Sequence, residues 1–207
     1  MPGISLHDAI HGQRAIRRFS TDPVPQEAIE QVLAAAARAP SGGNRQQWSF
    51  VVIRDDALKR RIGEWYLDGW NVTYASDPTR PRNATYVSAE TLAHNLAATP
   101  VLILACINRG QGSGPASLSA GASIYPAVQN LMLVAEGLGL GTVITTFHMR
   151  HEGEVKALLG IPDSVQTAAL IPMGYPADGE HFGGSKRNAV SEFAHYDHWD
   201  NPAPAAR

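Results

Sequence analysis

Arginine carries a planar, permanently charged fork of donors that suits a phosphate group. This chain crowds Arg14, Arg17 and Arg18 into five positions of QRAIRRFS and sets a second basic pair, Lys186-Arg187, near its other end. Between them lies PSGGN, residues 40–44, whose Gly42 and Gly43 can take positive φ and so bring backbone N–H groups close to a ligand. The arginines taken alone could be a solvated helix end. Two remote basic clusters together with a glycine-rich loop point instead to a bound phosphorylated cofactor.

Other chemistries find less support. GLGLGT, residues 137–142, resembles a dinucleotide loop in composition, but these glycines close a helix and feed a strand, the reverse of the nucleotide-binding order. They read as a helix C-cap followed by a tight turn. Neither a Walker loop nor a G-x-S-x-G elbow is present, which removes the commonest nucleotide- and serine-hydrolase readings. His148/His151 and His195/His198 have spacings that could share a helix face, yet neither pair carries the H-E-x-x-H arrangement, and no metal site is expected. Cys106, in the middle of an apolar strand, reads as a packing residue.

The chain has 207 residues, 17 basic against 19 acidic, for a net charge of −2. That balance provides no general attraction to nucleic acid or an acidic membrane. No apolar run has the length of a membrane span or a secretory signal, and the single cysteine fits a reducing cytoplasm. Charged residues make up 17% and hydrophobic ones 44%. So little charge suggests that a partner subunit covers part of the surface.

The pieces that must hold these groups form one domain, with no dividing linker. Ser5 and Asp8 make a capping box for a short first helix. Ile29, Val32, Leu33 and Ala36 recur at helical spacing from 26 to 38, and Pro40 stops the pattern. WSFVVI (48–53) reads as a strand, after which Asp55 caps a third helix to about Tyr66. Residues 67–90 are polar, spotted with aromatics and weakly periodic, so they read as an excursion over the surface. Such long excursions are commonly functional. PVLILACI (100–107) is expected to be a strand buried on both faces, and GQGSGPAS after it a flexible connection. Leu118 to Gly139 is a broadly apolar helix with Ile124, Val128, Leu131, Met132, Ala135 and Leu138 in one stripe. Its Pro126 must stand near the first turn or kink it. GTVITTF (141–147) reads as a strand, HEGEVKALLG as a helix stopped by Gly160, and QTAALIPMGYP (166–176) as the last buried strand. The tail, 177–207, is irregular.

The order of these pieces resembles the FMN-dependent nitroreductase family. The matching stretches are R-A-I-R-R-F, P-S-G-G-N-R-Q-Q-W, S-I-Y-P-A-V-Q-N-L-M-L-V-A-E-G-L-G-L-G-T-V-I-T-T, I-P-M-G-Y-P and K-R-N-A-V-S-E-F. The resemblance implies an α+β fold with a mainly antiparallel central sheet flanked by helices, built as an intertwined homodimer with FMN at the interface. It puts Arg14, Ala15 and Arg17 on the segment that grips the flavin phosphate, ribityl chain and pyrimidine edge. Ser41 and, more weakly, Asn44 fall on a second flavin-contacting loop. Thr145 and Thr146, with the backbone of Ile144, fall beside the isoalloxazine N5, and Arg187, helped by Lys186, falls on the C-terminal phosphate contact. Gln13 and Ala15 stand where the family pattern carries an arginine and a serine.

The activity implied is transfer of reducing equivalents from NAD(P)H through FMN to a small electron-poor acceptor such as a nitroaromatic or quinone. Residues 67–90 would then be a lid, with Trp65, Tyr66, Trp70 and Tyr74 stacking on a flat substrate. A helical aromatic face covered by the second subunit is the alternative. A specialised family member (dehalogenase, enone reductase or flavin-fragmenting enzyme), a non-catalytic flavin-storage protein and a cofactor-free interaction domain also remain open.

Overall fold

The computed structural model describes residues 4–75, 77–108 and 118–203. Helix α1 (Leu6–Gly12) begins where Ser5 Oγ accepts from the Asp8 N–H and donates to its carboxylate. Helix α2 (Gln26–Ala36) buries Ile29, Val32 and Ala36 on one side. Strand β1 (Trp48–Ile53) leads to Asp55, whose carboxylate accepts from the N–H groups of Ala57 and Leu58 and starts α3 (Asp56–Trp70). Both caps lie where the sequence puts them.

The excursion expected over 67–90 is mostly helix. Helix α3 runs on to Trp70 and loosens into a π-turn at Asn71–Ala75, and α4 (Ala84–Asn95) follows, capped by Asn83. Its apolar contacts are too few to print a helical period, because it buries only Leu92 and Ala93 fully. Strand β2 (Val101–Asn108) comes next, and the connection expected at 110–117 falls outside the described residues.

Helix α5 (Leu118–Gly137) carries Pro126 well inside it rather than in its first turn. Strand β3 (Gly141–Thr142) is much shorter than the expected 141–147: after Thr142 only Thr145 bridges to a strand, and Phe147–His151 closes into a 3-10 turn. Helix α6 (Glu152–Leu159) stops at Gly160, which is left-handed at φ 66°, and β4 (Val165–Gly174) completes the sheet.

The sheet order is β1-β2-β4-β3, antiparallel throughout. Alternation along β2 explains its unbroken apolar run. Val101, Ile103, Ala105 and Ile107 face one core shared with α2 and α5, whereas Leu102, Leu104 and Cys106 face a second core shared with α3 and α4. A sheet covered on both faces needs no polar side. Among the described residues no helix is long and apolar enough to cross a membrane.

Candidate functional site

Residues 14–20 form a strap laid across one end of this sheet. Ala15 bridges Thr142 in parallel, the Ile16 N–H donates to the Thr142 carbonyl at 3.0 Å, Ser20 N–H donates to Tyr175 and Ala177 N–H to Arg18. Ile16 is fully buried and sets the depth of the strap. It lies so close to Gly141 that a Cβ there would stand 2.6 Å from Ile16 Cβ. One glycine of GLGLGT therefore makes room for the strap, while Gly137 and Gly139 (φ 76°) end α5 as expected.

The three arginines part company along the strap. Arg18 Nε pairs with Glu180 Oε1 at 2.8 Å on the surface, which holds the tail and leaves that charge satisfied. Arg14 Nη1 donates to the Gly183 carbonyl at 3.1 Å and meets His181 Nε2 at 3.2 Å. Arg17 Nη1 donates to Ser88 Oγ on α4 at 3.3 Å. Arg14 and Arg17 are both half-buried, and neither forms an ion pair among the described residues. Burial lowers the Arg17 pKa from its usual value, opposed by Tyr66 and Glu180. Partly desolvated guanidinium groups without a carboxylate are suited to receive an anion.

The tail brings the second basic cluster toward the first. Gly183 N–H donates to the Gly12 carbonyl, and a Cβ on Gly184 would lie 3.8 Å from Arg14 Nη1. Both glycines have positive φ, 78° and 73°, a backbone turn that ordinary residues resist. Exposed Lys186 and Arg187 follow within three residues, a reach of at most about 11 Å. In the structure Arg187 Nη1 donates only to the Lys186 carbonyl.

Thr145 and Thr146 are adjacent but have different surroundings. Thr145 is 9% exposed, exchanges both backbone hydrogen bonds with Leu170, and donates its hydroxyl to the Leu170 carbonyl at 2.8 Å. Its hydroxyl proton is thus committed inward. Thr146 and Ile144 face outward. Both present surface to solvent on the side away from β4.

Ser41 and Asn44 do not join this group. Their loop stays exposed and bonds within itself: Gln46 N–H donates to Ser41 Oγ and its side-chain amide to Asn44 Oδ1. The loop enters β1 at Trp48, which pairs with Ile107 and so lies at the Gln166 end of β4; the strap lies at the Met173 end. Seven residues of strand separate those ends, about 23 Å.

The aromatic residues expected to line a lid are largely core. Tyr66 is 2% and Trp70 1% exposed, and Phe147 packs edge-on against both at 5.3 and 5.6 Å. Their ring faces are occupied by protein and are not available to stack on a substrate. Tyr74 is half-buried between Trp70 and Tyr86, and Trp65 stacks with His151 under the Arg61 guanidinium. Sequence reasoning missed Ser88, Glu180 and His181, which complete the surroundings of the arginines. Only the Gly183-Gly184 pair, a turn signal in the tail, hinted that the chain doubles back there. Among the described residues no cluster of three or more His, Cys, Asp or Glu side chains is arranged to hold a metal. Cys106 is buried, and its thiol is pushed up to about 12 by burial.

The model of the Nitroreductase family matches residues 10–175. The chain is 32% identical over 193 residues to NADH dehydrogenase of Thermus thermophilus, covering 86% of this chain and 90% of that protein. It is 28% identical over 196 residues to iodotyrosine deiodinase 1 of Rattus norvegicus, covering 90% of this chain and 67% of that one. Among solved structures, oxidized iodotyrosine deiodinase bound to FMN and 3-iodo-L-tyrosine superposes with a TM-score of 0.74 at 26% identity, over 93% of this chain and all of that one. The matched residues take in most of the strap's setting, the Ile144–Thr146 segment and all four strands, and on that extent the chain belongs to the Nitroreductase family.

Proposed function

We propose that the chain binds FMN and, as a homodimer, passes reducing equivalents from NAD(P)H to a small electron-poor acceptor. The observation that carries this reading is the pair of half-buried arginines, Arg14 and Arg17, on a strap that leads to the exposed Ile144–Thr146 segment. Their donor chemistry fits a group with a phosphate at one end and a flat, polar-edged ring at the other. FMN, when bound, supplies hydride acceptance and donation.

The chain's own residues bind, orient and tune. Arg14, with Lys186 and Arg187 from the returning tail, takes the phosphate, and the Ala15 backbone lies along the same strap. Arg17 sets a positive charge at the pyrimidine edge, where reduction adds negative charge. Thr146 and the Ile144 backbone lie toward N5, with Thr145 as their buried anchor. Ser41 and Asn44 sit at the opposite end of the sheet, which supports their serving the site of a second copy. For a quinone the balance is quinone, NAD(P)H and one proton giving hydroquinone and NAD(P)+.

The test is reconstitution with FMN, followed by NADH and NADPH oxidation against a quinone and a nitroaromatic. Turnover with bound FMN is expected. Protein that takes up no FMN, or bound FMN that neither nucleotide reduces, would reject the reading. The likeness to iodotyrosine deiodinase supports a second reading, reductive dehalogenation, in which an aryl halide and NAD(P)H give the arene, halide and NAD(P)+. Halide release from 3-iodo-L-tyrosine under the same conditions separates the two.

A further inference from the structure

Helix α4 has little core to hold it, since it buries only Leu92 and Ala93 fully, yet its first two turns are fixed by other contacts. Asn83 Oδ1 accepts from the Tyr86 N–H at 3.2 Å, and the Tyr86 ring packs edge-on against Tyr74. Glu90 pairs at 3.2 Å with Arg80, whose guanidinium lies 5.6 Å from the centre of the buried Trp70 ring. Ser88 stands between these contacts, half-buried, one helical turn before Leu92 and so on the same side of the helix. Its Oγ accepts from Arg17 Nη1 at 3.3 Å, across 71 residues of sequence. On the other side of that bond the strap is fixed as well: Ile16 is fully buried and its N–H is bonded to the Thr142 carbonyl. Two independently held elements meet at one hydrogen bond.

That bond settles where a long side chain with much rotamer freedom comes to rest. The charges around Arg17 do not hold it there: Arg14 opposes its charge, and Glu180, which favours it, is paired with Arg18. We propose that the Ser88 hydroxyl is the positioning group that holds the Arg17 guanidinium toward the flavin ring, so that Ser88 tunes the potential of the bound cofactor. This rests on the FMN reading. A hydroxyl suits the task because it orients the guanidinium without bringing a negative charge to offset it. Reduction adds negative charge at the pyrimidine edge, so a well-placed Arg17 binds the reduced form more tightly than the oxidised one. The ratio of those two affinities is what shifts the potential. The phosphate grip of Arg14, Lys186 and Arg187 does not involve Ser88, so the oxidised cofactor is held nearly as well without the hydroxyl.

The experiment compares wild type with Ser88→Ala, Ser88→Thr and Ser88→Asp, each reconstituted with FMN, by dye-referenced potentiometry, titration with oxidised FMN and melting temperature. In Ser88→Ala the preference for reduced over oxidised FMN should fall about tenfold, the effect of one lost hydrogen bond to a charged group. That moves a two-electron potential about 30 mV more negative. Alanine is a good helix former, so the melting temperature should hold. Ser88→Thr keeps the hydroxyl and should restore the wild-type potential. Ser88→Asp keeps a partner but offsets the charge, and should move the potential at least as far as alanine does. A wild-type potential in Ser88→Ala, whether affinity is kept or is lost equally for oxidised and reduced FMN, would overturn the proposal, since an equal loss is the mark of a merely structural role. So would Ser88→Thr with the potential of Ser88→Ala. Wild-type protein that takes up no FMN would defeat the FMN reading, and the proposal with it; wild type that binds FMN while Ser88→Ala keeps its potential defeats the positioning role alone.

Discussion

Replacing Gly141 with alanine tests whether the strap is set by backbone spacing. The added methyl would lie 2.6 Å from both Cβ and Cγ2 of Ile16 and 2.9 Å from its Cγ1. Ordinary contact between carbons is about 3.5–4.0 Å, so strap and sheet must separate by roughly 1 Å. Ile16 is fully buried and its N–H is bonded to the Thr142 carbonyl, which leaves little room to give. Overpacking of this kind costs about 1–3 kcal/mol, or about 2–4 °C of melting temperature per kcal/mol for a domain of this size. The strap carries Arg17 one residue further on. Misplacing one charge-assisted hydrogen bond costs about 1.5–3 kcal/mol, roughly a ten- to hundredfold loss of FMN affinity. Calorimetry and FMN titration measure the two effects. Gly153→Ala is the control: it lies in α6 with nothing near its Cβ position, and should hold or raise stability by up to ~1 kcal/mol. Shortening Ile16 to alanine should not rescue Gly141→Ala, because Ile16 Cβ itself is in the way. Gly141→Ala with wild-type melting and wild-type FMN affinity would refute the reasoning.

Other changes separate the remaining roles. Arg14→Ala should weaken FMN binding by about tenfold or more while leaving riboflavin binding unchanged, as measured by fluorescence titration; an equal loss for riboflavin would take Arg14 out of the phosphate grip. Trp70→Ala should destabilise the protein by about 3–5 kcal/mol, read by chemical denaturation, whereas Trp65→Ala at the half-buried position should cost much less. Glu136 on α5 has a carboxyl oxygen buried without a partner, and burial raises its pKa from 4.5 to about 7. Because the folded value is the higher, its contribution to stability is fully present below pH 4.5 and is lost as pH rises to about 7. Glu136→Gln should flatten the melting temperature across that window, and a slope identical to wild type would clear Glu136 of the effect.

The layers were legible because each followed from a local rule. Asp55 and Ser5 announce helix starts, β2 shows its two-sided burial as an unbroken apolar run, and Gly160 stops α6. What escaped depended on partners far away in sequence. Val143 is buried in the α3–α4 core and Thr145 returns to Leu170, but Phe147 turns off to fill the space over Gly69, where a Cβ would lie 2.5 Å from the Phe147 carbonyl oxygen. The β-branched run therefore breaks although its propensity favours a strand. Helix α4 was hidden for the opposite reason: capping by Asn83 and contacts with α3 hold it, while its sequence has little amphipathic signal. Of the site, the residue types of Arg14 and Arg17 were readable. Their partners were not, since Ser88, His181 and Gly183 lie 71 to 169 residues away.

The strap also shows why three neighbouring arginines are not interchangeable. Ile16, at the centre of the cluster, must point into the core, and that orientation fixes what its neighbours can reach. Arg18 is carried to the outer side and neutralised by Glu180, while Arg14 and Arg17 end on partners other than carboxylates: a carbonyl, an imidazole and a hydroxyl. A partner that carries no negative charge orients a guanidinium without cancelling its charge. Exchanging the partners would therefore do different things. Ser88→Asp, by giving Arg17 a carboxylate, would neutralise the charge proposed to face the flavin, whereas loss of Glu180 would unpair the half-exposed Arg18 and withdraw a longer-range counter-charge from Arg17. The chemistry of the cluster lies less in how many arginines it contains than in which of them the fold leaves without a counter-ion.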